Sequence, residues 1–151
     1  HLNRQTFYYH FHDIYDLLNW IFQTELGNQN KKDSSNWEDR LLKSFTYFTQ
    51  HQKFYNNCFH SLGREQLELF LYHQIFSAMY EMIEKATYHQ DLSAKEKETI
   101  ANFYTYATIG LFMKWLRDGM KEEPKEIIKQ MKLLFQFNPK EVIHNYRNEN
   151  A

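Results

Sequence analysis

Apolar residues recur along this chain at three- and four-residue steps, the spacing of one helix face, and no long segment alternates like a strand. Asn3 can cap a short helix over about 3–11. Asp13 can cap a second, whose stripe is Ile14, Leu17, Leu18, Ile21 and Phe22, and Gly27 ends it. The stretch 27–35, GNQNKKDSS, has no apolar anchor and reads as a linker. Ser35 and Glu38 form an S-x-x-E capping box that opens a helix over about 36–51, with Leu41, Leu42, Phe45 and Phe48 facing inward. A shorter helix over about 53–62 stops at Gly63. The longest pattern runs unbroken over about 64–88, roughly 37 Å at 1.5 Å per residue. Ser93 and Glu96 make a second capping box, starting a helix that reaches about Gly119. Glu123 and Pro124 open the next, and Asn138 and Pro139 a last short one before a polar tail. The expected fold is all-α, in two parts: residues 1–26, and a larger body over 36–151.

The sequence 100–115, IANFYTYATIGLFMKW, carries no charge before Lys114 and is apolar or aromatic on all sides. Such a helix must bury more than one face. Gly110 sits mid-helix, where glycine costs about 1 kcal/mol relative to alanine. Close approach of another helix would offset that cost. Phe103, Ala107, Gly110, Leu111 and Lys114 lie along one side, and Ile127, Met131, Leu134 and Phe135 form a stripe on the next helix. Two copies are therefore expected to pair these stripes in a four-helix bundle, making a homodimer.

Composition agrees with helices. There are 13 Phe, 11 Tyr and 3 Trp, but only 4 Gly and 2 Pro, fewer than a Rossmann domain or a turn-rich sandwich would need. A formal net charge of −1 excludes a chain that is basic over its whole surface. The single Cys58 precludes an internal disulfide and fits a reducing, cytoplasmic setting. No run approaches the roughly 18 apolar residues of a membrane span, so no membrane partner is expected.

Candidate chemistry is thin. A di-iron bundle needs two Glu-x-x-His motifs, and the chain has one, Glu141 to His144. His10 and His12 are two residues apart, as are Cys58 and His60, a spacing that separates side chains on a helix. The four glycines are isolated, so no phosphate-cradling loop exists. No catalytic residue, metal or cofactor is expected, and the chain does not read as an enzyme.

The first twelve residues, HLNRQTFYYHFH, contain no acid. Asn3, Arg4, Gln5, Thr6, Tyr8, Tyr9 and His10 are the side-chain types that groove-reading helices present to bases and phosphates. The run NRQTFYYHFHDIYDLL resembles the end of the helix-turn-helix of the TetR/AcrR family of bacterial transcription regulators, with Thr6, Phe7, Tyr8, His10, Phe11, Leu17 and Leu18 matching in place. Further along, FYTYATIGLFMKWLRDGMKEEPKEIIKQM resembles the C-terminal region of the branch containing regulators of dihydroxyacetone-kinase operons.

That resemblance implies a DNA-binding regulator whose C-terminal domain dimerises and senses a small-molecule effector or a protein coactivator. It also implies an effector pocket, for which Tyr47, Phe48, Phe70, Gln74, Met79, Phe103 and Tyr106 are the candidates. Gln74 stands out as a polar group within an apolar stripe. Two departures matter. Ile14 stands where the family often has a phosphate-contacting Lys. The chain opens on His and in the turn before the third helix of the family's DNA-binding domain, so a cut-down regulator is expected, competent for operator DNA only with the complete helix-turn-helix. The competing expectation is a helical ligand- or protein-binding module that never meets DNA.

Overall fold

The computed structural model describes residues 4–27, 37–61, 63–88 and 92–134. Among them there are seven α-helices and no strand, as the spacing predicts: α1 Arg4–His10, α2 Ile14–Ile21, α3 Trp37–Gln50, α4 Gln52–Phe59, α5 Arg64–Ala86, α6 Ala94–Arg117 and α7 Pro124–Leu134. The linker, the Ser35 cap and the expected helix after Asn138 lie outside the described residues.

Two caps work as the sequence foretells. The Asp13 carboxylate accepts the Tyr15 and Asp16 backbone N–H groups at 2.8 and 2.9 Å. At α6, the Ser93 hydroxyl accepts the Glu96 N–H at 3.3 Å while the Glu96 carboxylate accepts the Ser93 N–H at 2.8 Å. Replacing Ser93 by Ala should lower stability by about 0.5–2 kcal/mol, read as a lower urea midpoint at unchanged slope. An unchanged midpoint would show that α6 is held by packing alone.

α6 ends in a tight reversal. Gly119 N–H reaches the Leu116 carbonyl at 3.0 Å and Met120 N–H the Trp115 carbonyl at 2.9 Å, the paired bonds of a Schellman motif. Gly119 takes φ +77, a conformation glycine adopts without strain. The Trp115 indole N–H donates to the Glu122 carbonyl at 2.9 Å and braces the turn into α7.

One feature has no sequence signal. After Ile21 the backbone of α2 widens into a π-helical turn over Phe22–Gly27. Its first residue, Phe22, is fully buried, stacking on Tyr55 at 6.2 Å and meeting Phe70 at 5.5 Å between ring centroids. Leu18 and Phe22, from the N-terminal part over 1–26, thus sit in the same core as Phe45, Phe48, Phe112 and Leu116 of the larger body.

α5 and α6 run antiparallel. The Tyr72 hydroxyl donates to the Asn102 side-chain oxygen at 2.8 Å, and Lys97 lies 3.8 Å from Glu84. α3 packs on α7 and α4 closes against α6. A second, small apolar cluster of Met79, Ile83, Ile100 and Ala101 lies along the α5–α6 pair.

Candidate effector cavity

α3, α5 and α6 enclose a cavity of about 510 Å³, within the range of small-molecule sites. It lies beside the division of the core. Phe45, Phe48, Phe70 and Phe112 from the larger cluster line it, and so does Met79 from the smaller. Helical spacing builds its walls. On α3, Trp37, Arg40, Leu41, Ser44, Phe45 and Phe48 fall on one face; on α5, Phe70, Gln74, Ala78 and Glu81 follow at three- and four-residue steps.

The cavity is polarised. Phe45, Phe48, Phe70 and Phe112 are each no more than 5% exposed and form the deep end, with Thr108 beside them. Ser77, His73 and Glu81 are exposed and mark the mouth, where the half-buried Arg40 also sits. The Thr108 hydroxyl donates to the Tyr104 carbonyl and the Ser44 hydroxyl to the Arg40 carbonyl, so both are satisfied within their own helices.

Of the expected pocket residues, the structure brings together Phe48, Phe70, Gln74 and Met79. Gln74 is half-buried and faces the cavity. Phe103 and Tyr106 are not there. They are 69% and 63% exposed on the outer side of α6, where Tyr106 leans on Tyr72 at 5.5 Å. Tyr47 also faces elsewhere. Arg40 and Ser44 also line it, at four-residue steps from Phe48; as polar residues next to the apolar stripe, they carry no sequence signal that separates a cavity wall from a solvated face.

Tyr47 instead ties α3 to the π turn. Its hydroxyl donates to the Glu25 carboxylate at 2.9 Å. Burial, then the bond and charge of Glu25, push its hydroxyl up from 10.0 to about 12, against a smaller opposing effect of Tyr55. The fold therefore favours the neutral phenol. That contribution is complete below pH 10 and is lost as pH rises from 10 toward 12. Urea stability should fall across that window, and Tyr47→Phe should flatten part of the fall. Tyr55, raised mainly by burial, keeps the remainder. A fall identical in the variant would remove Tyr47 from the account.

At the N-terminus, α1 presents Gln5, Thr6, Tyr8, Tyr9 and His10 on its exposed side, with Tyr8 60% and Tyr9 85% exposed. Phe7 and Phe11 meet at 5.8 Å, and Phe11 rests on Trp20 of α2 at 5.9 Å. Arg4 begins the helix; Asn3 lies outside the described residues. The Asp13 cap fixes the turn between α1 and α2, and the His12 N–H adds a bond to Asp16 at 3.2 Å.

The expected dimer stripe divides in two. Phe103, Gly110 and Lys114 are exposed on α6, with Ala107 and Leu111 half-buried beside them. A Cβ at Gly110 would meet nothing within 4 Å. On α7, by contrast, Ile127 and Met131 turn into the chain's own core at 5% and 0% exposure. They are held there as α7 packs on α3, with Lys132 pairing to Glu38 at 2.9 Å. These two members of the stripe expected to meet a partner are occupied within one chain, and α7 leaves Leu133 outside at 62% exposure. Nothing is described of the Leu134 side chain or of Phe135.

Cys58 is buried, and burial raises its thiol above the usual range. Among the described residues no three metal-ligating side chains converge. The Glu141–His144 pair lies outside them. Among the same residues, no helix is long and apolar enough to cross a membrane.

Residues 35–137 match a protein family described as the C-terminal region of transcriptional regulators, of TetR type. The chain belongs to the TetR family. The match covers α3 to α7 and so contains every helix that walls the cavity. The chain is also 39% identical over 61 residues to the HTH-type dhaKLM operon transcriptional activator DhaS of Lactococcus lactis subsp. lactis (strain IL1403). That similarity covers 38% of this chain and 32% of the relative, so about a third of the relative's length is spanned. Family and relative are both named as transcriptional regulators, and the all-α architecture agrees with them.

Proposed function

We propose that this chain is the effector-sensing and dimerising part of a DNA-binding transcription regulator, and that α2 carries the state of the cavity to the recognition helix α1. The observation that carries the reading is the placement of the cavity. It lies inside the TetR-type region, and Phe70, which lines it, also meets Phe22 of the π turn that continues α2. An occupant that prefers one seating of α2 shifts the population of that seating by its differential affinity. In a dimer, the shift changes the separation of two recognition helices and hence the fit to two half-sites about one helical turn apart or more.

The exposed face of α6 supplies the dimer contact: Phe103, Ala107, Gly110 and Lys114, flanked by Tyr106. The effector is a small molecule or a protein coactivator. DNA contact falls to Asn3, Arg4, Gln5, Thr6, Tyr8, Tyr9 and His10, acting with the rest of a helix-turn-helix that fixes register through phosphate contacts.

Selection from random duplexes with the full-length protein tests this reading. A near-palindromic site is expected. Arg4→Ala or Gln5→Ala should relax base preference, whereas Thr6→Ala or Tyr8→Phe should weaken binding to every sequence alike. A full-length protein that enriches no sequence is a binding module without a DNA role.

A further inference from the structure

The chemistry at the cavity mouth narrows what the cavity can hold. We infer that its ligand is an amphipathic monocarboxylate: an apolar chain or ring seated among the buried phenylalanines, with its carboxylate held by Arg40. The inference rests on the reading of this cavity as a ligand site.

Polarity sets the orientation. α3 and α5 pass in opposite directions, so Arg40, near the start of α3, faces the Glu81 end of α5, while Phe48 lies toward Phe70. Arg40 and Phe48 are eight residues apart on one face of α3, or about 12 Å along the axis. A ligand that fills the slot is therefore elongated, with an apolar body and one polar end.

Charge sets the head group. Among the described residues no carboxylate forms an ion pair with Arg40, although the residue is half-buried. The nearby Glu81 is already engaged: Lys85 lies 2.6 Å from it, and this bond, more than the Arg40 charge, holds its carboxyl below the usual range. One cation at the mouth is thus left without a direct counter-ion. A guanidinium fork matches a carboxylate in two parallel bonds. A dianion would need a second free cation, and its additional charge would double the repulsion from Glu81. The Gln74 amide, half-buried on the cavity wall and bonded to none of the described residues, can donate a further hydrogen bond to the same head.

Calorimetric titration of the full-length protein with octanoate, 1-octanol and octylamine tests the class. Octanoate should bind one per chain, at least tenfold tighter than 1-octanol, with octylamine weakest. Arg40→Gln should abolish the preference for octanoate and leave 1-octanol affinity unchanged. Ser77→Trp, which plugs the mouth from an exposed position, should block all binding. If 1-octanol or octylamine binds as tightly as octanoate, or if Arg40→Gln changes nothing, the carboxylate class is wrong and the cavity remains a ligand site. If octanoate still binds to Ser77→Trp, the site lies elsewhere. If none of the three probes binds, the cavity reading falls with the class.

Discussion

Replacing Phe22 with alanine should lower folding stability by about 3–5 kcal/mol, a large share of the roughly 5–15 kcal/mol available to a domain. The ring is fully buried and touches two others, Tyr55 and Phe70, from different helices. Truncation removes the apolar area and leaves a void that rigid aromatic neighbours cannot close. Because Phe22 stands in the π turn, the void opens where α2 is seated on the body. Ile14→Ala on the same segment is the control: Ile14 is 54% exposed, and its loss should move stability by no more than about 0.5 kcal/mol. Urea titration of both variants decides the matter. Equal midpoints would mean that the α2 segment does not share the core's cooperativity. In the full-length protein, Phe22→Ala should also weaken operator binding at temperatures where the body is still folded.

Gly110→Leu should convert a dimer to a monomer. Within one chain no contact requires glycine there, since a Cβ would meet no atom within 4 Å. The helix nonetheless carries the roughly 1 kcal/mol disadvantage of a mid-helix glycine. Close approach of a second copy accounts for both facts. The same open space makes the experiment clean. The first side-chain carbon has room there and leucine should raise helix propensity, so loss of the dimer with the helix content retained cannot be blamed on unfolding. Sedimentation equilibrium should give twice 18.6 kDa for the parent chain and 18.6 kDa for the variant, with unchanged circular dichroism. A parent chain that stays at 18.6 kDa at micromolar concentration, or a variant that stays dimeric, rules out the α6 face as the interface.

Most helices could be read in the sequence because their signals are local. Capping residues and three-to-four spacing need no knowledge of the partner, which is why Asp13, Ser93 and Gly119 marked their ends correctly. The π turn was illegible. The widening begins at Phe22, where the stripe of Ile14, Leu17, Leu18 and Ile21 is already complete, so that stripe reads the same either way. What a stripe faces is likewise not local. Ile127 and Met131 have the pattern of an interface and the burial of a core, and only the docking of α7 on α3 distinguishes them. The cavity was half legible for the same reason. Phe48, Phe70, Gln74 and Met79 share a wall, but Phe103 and Tyr106, equally aromatic, lie on the opposite side of α6, which is apolar all round.

The three tryptophans divide the molecule optically. Trp20 stands 55% exposed on α2, Trp37 edges the cavity, and Trp115 is 3% exposed at the corner between α6 and α7. Indole emission shifts to the red with water contact, so the three contribute from different parts of the spectrum. A movement of α2 would alter the red component, an occupant of the cavity the Trp37 component, and loss of the corner the blue one. The chain thus carries its own colour-coded reporters for events in three places, with no added label.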